Sequence, residues 1–211
     1  MPKTKYYAIC YNGVENIVTK WDDCRKIVKG LSNCSYKSFD NRADAEIFIK
    51  EEQSRRINMT SNQLEKDKRS IIAFTDGSCY KNNGGYGLII TNHNGTTVTN
   101  QSVQIDGKAT NNIAELQAIL AVLEIFKLEY NTTKKYIIVS DSQYAIFSSI
   151  HPSILKEEQA NYELIKKIHT LLGGMTKVYF QHVDAHKVSN EYIYVMNNKV
   201  DLLAKQAINI A

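Results

Sequence analysis

The chain has four cysteines, Cys10, Cys24, Cys34 and Cys79, and no two of them form a CxxC pair. That spacing suggests neither a disulfide framework nor a zinc site, so a reducing compartment is expected. No apolar run approaches the length needed to cross a bilayer, and no membrane span is expected. The first residues, Met1 to Tyr7, contain neither a secretory apolar core nor an Arg-rich transit pattern. A soluble, cytoplasmic protein is therefore expected, and it is taken as a monomer. Internal repeats and low-complexity tracts are absent, and tryptophan occurs once, at Trp21.

Net positive charge is also missing from most of the chain. The formal net charge is +4, but residues 1–50 carry +3, residues 51–70 carry +1 and residues 71–211 carry none. A basic excess confined to the N-terminal quarter suits a segment that attracts a polyanion.

At 211 residues, one or two domains are expected. Residues 5–11 and 16–20 read as strands around an Asn12-Gly13 turn. Trp21–Val28 reads as a helix, Tyr36–Phe39 as a strand and Asn41–Ile49 as a second helix. Together they make a small α+β domain over residues 1–50. Residues 51–69 are polar with isolated Ile57, Met59 and Leu64, and read as a linker whose start can extend the preceding helix. Residues 70–211 form a second domain. Strands are expected at 71–76, 85–91 and 96–104, then a helix over 113–130, a strand at 136–140 and a helix over 142–150. A helix over 159–172, a strand at 177–182 and a helix from about Asn197 complete it. Three consecutive strands followed by helix–strand alternation predict an α/β domain, a mixed five-stranded sheet with helices on it.

Four acids stand out. Asp76 ends the apolar run Ile71-Ile72-Ala73-Phe74-Thr75, and Asp141 ends Tyr136-Ile137-Ile138-Val139-Ser140. Glu115 lies early in a helical stretch and Asp201 in another. Each has an ordinary reading as well: a strand-end turn residue, a first-turn Glu favoured by the helix dipole, a helix N-cap at Asp141, a surface acid at Asp201. An unpaired carboxylate on a buried strand is costly, which makes a cation a natural partner for Asp76. Carboxylates gathered from distant elements suit hard divalent ions such as Mg²⁺ or Mn²⁺.

Thr75-Asp76-Gly77-Ser78, Thr110-Asn111-Asn112-x-Ala114-Glu115, Asp141-Ser142-Gln143-Tyr144 and Asn198-x-x-Asp201-x-Leu203-Ala204 resemble type 1 ribonuclease H, in that order, over roughly residues 70–211. The resemblance implies an endonuclease that hydrolyses the RNA strand of an RNA/DNA hybrid with two Mg²⁺ ions (Mn²⁺ as an alternative), leaving 5′-phosphate and 3′-hydroxyl ends. Asp76 would bridge the ions, Asp141 with Asp201 would hold the one that activates water, and Glu115 would hold the one at the leaving oxygen and meet a ribose 2′-OH. His186 matches the family's mobile histidine. The eleven residues between His186 and Asn198 exceed the usual loop, and Lys199-Val200 departs from the usual acidic-Ala pair. Asn82, Asn111 and Asn112 match minor-groove contacts, with Gln143 beside them. Thr110 and Asn161 match a phosphate pocket, Lys108 a basic position near it, and Tyr144 a deoxyribose contact. The basic, Trp-containing protrusion of many relatives is absent from residues 148–160.

The first 50 residues have their own likeness. Tyr7-Ala8-Ile9, the Gly13 turn, Trp21-x-x-Cys24, Val28-x-Gly30, Tyr36-Lys37-Ser38-Phe39, Ala45 and Phe48 resemble the hybrid-binding domain of ribonucleases H1 and of a caulimovirus inclusion-body protein. Trp21, Tyr36, Lys37 and Tyr7 match its nucleic-acid contacts, so RNA/DNA hybrid, and double-stranded RNA through this domain, are the implied partners. Aromatic faces with Lys at phosphate make physical sense; Trp21 and Tyr36 as core residues of a small domain is the plain alternative. Two other readings stay open: a hybrid or double-stranded RNA binder with weak or no catalysis, and a DNA-strand nuclease or transposase of the same broad fold.

Overall fold

The computed structural model describes residues 4–11, 13–31, 34–92 and 94–209. Asn12 of the expected turn lies outside the described residues. Its neighbour Gly13 has φ +77°, a backbone value that glycine takes without strain.

The first domain is a three-stranded antiparallel sheet of β1 (Tyr6–Tyr11), β2 (Val14–Val18) and β3 (Cys34–Phe39), in the order β2-β1-β3, with α1 (Trp21–Val28) and α2 (Arg42–Arg55). Strand alternation sorts its residues. Ala8 and Phe39 face α2 and meet Ala45, Phe48 and Ile49 in a small core. Tyr7, Ile9 and Tyr36 belong to the other face, where Trp21 of α1 stands against both tyrosines. The second strand begins two residues earlier than expected.

The second domain has the predicted mixed sheet. Its strands are β4 (Ser70–Tyr80), β5 (Asn83–Thr91), β6 (Thr97–Ile105), β7 (Lys135–Ser140) and β8 (Val178–His182), in the order β6-β5-β4-β7-β8. β4, β5 and β6 pair antiparallel, whereas β7 joins β4, and β8 joins β7, in parallel. On one face α4 (Asn111–Leu128), α5 (Gln143–Ile150) and α6 (Tyr162–Gly173) bury Leu116, Ile119, Leu123, Ile146 and Ile165. On the other, α3 (Ser61–Glu65) and α7 (Tyr192–Ala207) cover Phe74 and Val139 with Leu64, Ile193 and Val200. The apolar run that ends at Asp76 is thus a central strand covered on both sides.

Three expectations need correction. β4 continues past Asp76 to Tyr80, and the turn is only Lys81-Asn82, at φ +49° and +66°. Two positive-φ residues make a tight hairpin whose twist matches its strands. The C-terminal helix begins at Tyr192, not near Asn197, so half of the apparent long loop is helix anchored by buried Ile193 and Met196. Residues 51–69 are not a free linker. α2 runs on to Arg55, Thr60 and Gln63 form a capping box on α3, and Leu64 is completely buried.

Candidate active site

Two glycines set the geometry. A Cβ on Gly77 would stand 2.3 Å from the Glu115 amide nitrogen and 2.5 Å from the Ala114 carbonyl carbon. Only a residue without a side chain lets α4 lie this close to β4, and that approach brings Glu115 to Asp76. Gly87 pairs with Asp76 across the β4–β5 ladder. A Cβ there would meet the Val200 carbonyl oxygen at 2.4 Å, so α7 also presses onto the sheet beside Asp201. Asp141 arrives differently. β4 and β7 run in parallel and pair up to Thr75 and Ser140, so Asp76, still within β4, and Asp141, just past β7, stand where that pairing stops.

One carboxylate oxygen from each of Asp76, Glu115 and Asp141 lies within 4.8 Å of the others. Asp76 and Glu115 are buried, whereas Asp141 is partly open. Burial, then the charges of Asp141 and Asp201, push the Asp76 carboxyl up to about 7. Burial and the charges of Asp76 and Asp141 push Glu115 well above the ordinary carboxylate range. Oε2 of Glu115 is buried with no hydrogen-bond partner among the described residues. Three mutually repelling carboxylates, with an orphaned oxygen among them, are the donor set a hard divalent cation needs. The residues present fit such an ion.

Asp201 stands outside this three-acid group. Its charge reaches Asp76, and Lys205 Nζ bonds its Oδ2 at 2.7 Å, one turn along α7. His186 is exposed, at φ +52° in the loop before α7, and is not among the clustered groups. Asp141 is not a helix cap. Ser142 caps α5 by accepting from the Ala145 amide, which leaves the Asp141 carboxylate free for the cluster.

Two residues that hold Asp141 were not foreseen. Asn197 Nδ2 donates to Asp141 Oδ2 at 3.1 Å, and His182 Nε2 lies 3.0 Å from the Asp141 carbonyl oxygen. Burial lowers the His182 pKa, keeping the ring neutral at ordinary pH. Asn197 is 2% exposed. It sits on the stripe of Ile193, Val200 and Ala204, and a polar residue at a core position of an amphipathic helix is the signal that could have found it.

The expected substrate residues fall into two sets. Asn82, Lys108, Thr110, Asn111 and Asn112 lie at the β4–β5 turn and the start of α4, all exposed. The Ala109 amide donates to the Asn82 carbonyl at 2.9 Å and ties these two segments together. Thr110 is the N-cap of α4, accepting from the Ile113 amide, so neither Asn111 nor Asn112 serves as cap. Gln143 and Tyr144 open α5 on the other side of Asp141, and Asn161 Nδ2 donates to the Tyr144 hydroxyl at 3.0 Å. Asn161 holds φ +64°, a left-handed value that Asn tolerates better than most residues.

In the first domain, Trp21 lies 5.7 Å from Tyr7 and 6.2 Å from Tyr36, ring centre to ring centre, so these three come together. Trp21 and Tyr36 are each 45% exposed, which removes the reading of them as core. Lys37 does not join them. As the next residue of β3 it belongs to the opposite face, and it lines a hollow with Lys5, Asp44 and Lys156.

Comparison with known proteins agrees with this geometry. The family model described as RNase H matches residues 68–209, and the one described as ribonuclease H1 N-terminal domain matches residues 5–49. Ribonuclease H of Schizosaccharomyces pombe is 26% identical, covering 97% of each chain. Ribonuclease H of Chlorobium phaeobacteroides is 31% identical over 67% of this chain and 97% of its own. LC11-RNase H1, solved in complex with an RNA/DNA hybrid, shares the fold at a TM-score of 0.54 and 24% identity, over 66% of this chain and 97% of its own. The chain belongs to the RNase H family of nucleases.

Proposed function

We propose that this protein hydrolyses the RNA strand of RNA/DNA hybrids by a two-metal-ion reaction, leaving 5′-phosphate and 3′-hydroxyl ends. The observation that carries the reading is the convergence of the Asp76, Glu115 and Asp141 oxygens within 4.8 Å, where the β4–β7 pairing stops. Divalent ions bound there supply positive charge to the phosphate and to the attacking and leaving oxygens. Mg²⁺, with Mn²⁺ as a substitute, suits the all-oxygen donor set.

The protein's own groups do the rest. Asp76 and Glu115 hold their oxygens on rigid elements, fixed by the Gly77 contact. Asn197 orients the Asp141 carboxylate. Asp201 adds negative charge at the rim, tempered by Lys205. His186, exposed in the loop before α7, is assigned proton transfer or product release. Asn82, Asn111 and Asn112 read the ribose 2′-OH, the group that distinguishes an RNA strand. Lys108, Thr110 and Asn161 hold phosphate, Gln143 stands with the minor-groove set, and Tyr144 faces a deoxyribose of the DNA strand. Trp21, Tyr36 and Tyr7 form the aromatic surface of a hybrid-binding domain, which also accepts double-stranded RNA. The protein acts as a cytoplasmic monomer.

The test is side-by-side digestion of an end-labelled hybrid, a DNA duplex and an RNA duplex, with and without Mg²⁺. Cleavage of the RNA in the hybrid alone, only with metal, and with 5′-phosphate products is expected. Equal cutting of the DNA duplex, or cutting in chelator, would sink the proposal.

A further inference from the structure

The β7–β8 ladder ends where Ser140 meets His182. Asp141 lies one residue beyond it, and its carbonyl takes a side chain in place of a strand neighbour. His182 Nε2 stands 3.0 Å away. A carbonyl only accepts, so in the neutral ring Nε2 carries the proton and donates. The Ser142 amide donates to the Ser140 hydroxyl at 3.1 Å, and Asn197 Nδ2 donates to Asp141 Oδ2 at 3.1 Å. The flanks and the carboxylate of Asp141 are thus held by polar neighbours, and its main-chain carbonyl by one ring. The other ring nitrogen, Nδ1, is buried with no hydrogen-bond partner among the described residues. What surrounds the ring, rather than a second bond, sets its orientation.

Those surroundings belong to the first domain and to the chain that leaves it. His182 shares a cavity of about 280 Å³ with Cys10 and Tyr11 of β1, Val14 of β2, and Glu52, Arg56 and Ile57. The chain leaving α2 is built onto the edge of β8. Arg56 bridges to Phe180, and the Ile57 amide donates to the Phe180 carbonyl at 2.9 Å. The Gln181 side chain brackets Met59, accepting from its amide at 3.0 Å and donating to its carbonyl at 2.7 Å. Residues 56–59 thus run beside the end of β8, which closes on His182. Two further contacts fasten the junction. The Arg55 guanidinium donates to the carbonyls of Leu172 at 2.7 Å, Met175 at 2.7 Å and Val178 at 3.0 Å. Glu51 accepts from the Ser153 amide at 3.0 Å and the Ser153 hydroxyl at 2.7 Å. Glu52, 3% exposed, accepts from Arg56 Nε at 2.8 Å. A buried charge is costly once its partner is lost, so the junction favours one arrangement.

We propose that His182 is a positioning residue for the reaction, and that the docked first domain acts on the metal-binding acids through it. The inference rests on the reading of Asp76, Glu115 and Asp141 as a metal site. The contacts are continuous. The end of α2 holds the edge of β8, β8 ends in His182, His182 fixes the Asp141 carbonyl, and Asp141 brings its carboxylate to the cluster. A group one step removed from a metal ligand orients that ligand, and its loss typically costs ~10–100-fold in metal affinity or activity. The first domain then does more than bring substrate to the enzyme. It also helps to set a carboxylate of the metal site.

The experiment uses the full chain and reads the metal site in two ways. One is the Mg²⁺ concentration that gives half of the metal-induced rise in melting temperature, without substrate. The other is kcat and KM on a short hybrid. His182→Phe keeps a ring and removes the donor, and His182→Leu takes its place if that variant fails to fold. The half-point should rise by roughly tenfold or more, with kcat lowered and KM for the hybrid unchanged. His182→Gln, whose amide can reach the same carbonyl, should restore most of both. Glu52→Gln combined with Arg56→Gln loosens the junction without leaving a lone buried charge. That pair should raise the half-point in an otherwise wild-type chain and add nothing in the His182→Phe background. An unmoved half-point in folded His182→Phe, or equal losses in His182→Phe and His182→Gln, would overturn positioning by this ring. A junction pair without effect, or with an effect that persists in full without His182, would overturn the route from the first domain. A wild type that neither gains stability from Mg²⁺ nor cuts the hybrid would remove the functional reading itself. A wild type that does both, with His182→Phe unaffected, would remove only this inference.

Discussion

Gly77→Ala is a one-carbon test of how the site is assembled. The added Cβ would lie 2.3 Å from the Glu115 nitrogen and 2.5 Å from the Ala114 carbonyl carbon, both backbone atoms that no rotamer change can move aside. Reaching ordinary contact, at about 3.4 Å, requires α4 to retreat from β4 by roughly 1 Å. Overpacking of this kind costs on the order of 1–3 kcal/mol in stability. The same displacement carries Glu115 away from Asp76, and a misplacement of about 1 Å can cost on the order of 100-fold in rate. Urea unfolding and hybrid-cleavage kinetics on the same preparation separate the two. The expected result is a variant still folded at 25 °C, destabilised by a few kcal/mol at most, with kcat down by about 100-fold. Near-normal kcat would mean that the β4–α4 contact does not position Glu115.

Further outcomes follow from burial and charge. A carboxyl raised to about 7 in the fold but ordinary when unfolded favours the folded state only while protonated, so without metal this group's support is lost as pH rises from about 4 through 7. Asp76→Asn should therefore raise the metal-free melting temperature at pH 7 and flatten its fall across that window; an unchanged or lower Tm would contradict the burial-and-repulsion account. Leu64→Ala should cost about 2–5 kcal/mol by urea unfolding, although Leu64 precedes the segment matched to the RNase H family. A cost under about 0.5 kcal/mol, the ordinary surface range, would mean that the docked segment is dispensable. His186→Ala should lower kcat by ~10²-fold or less, short of abolition; an unchanged kcat would place this exposed histidine outside the reaction.

The acids were legible because each stands in a local frame: a buried run ending in Asp76 or Asp141, an apolar helix bearing Glu115. The order of strands and helices along the chain followed from the same runs. What escaped was long-range. Leu64 is a single apolar residue in a polar stretch, and nothing near it in the chain says that it fills a core between β4 and α7. Arg55, Glu51 and Glu52 read as solvated charges until the fold supplies His151 and the carbonyls around α6. Tyr192-Ile193-Tyr194-Val195 is β-branched and aromatic, which hides the first turn of α7. Its helical form is stabilised by packing, with Tyr192 edge-on to Phe74 at 5.7 Å. The family resemblance groups Lys37 with Trp21 and Tyr36, whereas strand alternation sends consecutive side chains to opposite faces.

The central claim is that the three converging carboxylates are the catalytic centre. It is tested most directly by cleavage of an end-labelled RNA/DNA hybrid in Mg²⁺ by wild type and by Asp76→Asn, each first shown to be folded by its melting curve. The account predicts metal-dependent cutting by the wild type, and less than a few per cent of that rate from a variant that is at least as stable and still binds the hybrid. Cleavage by folded Asp76→Asn at a rate comparable to wild type would contradict it.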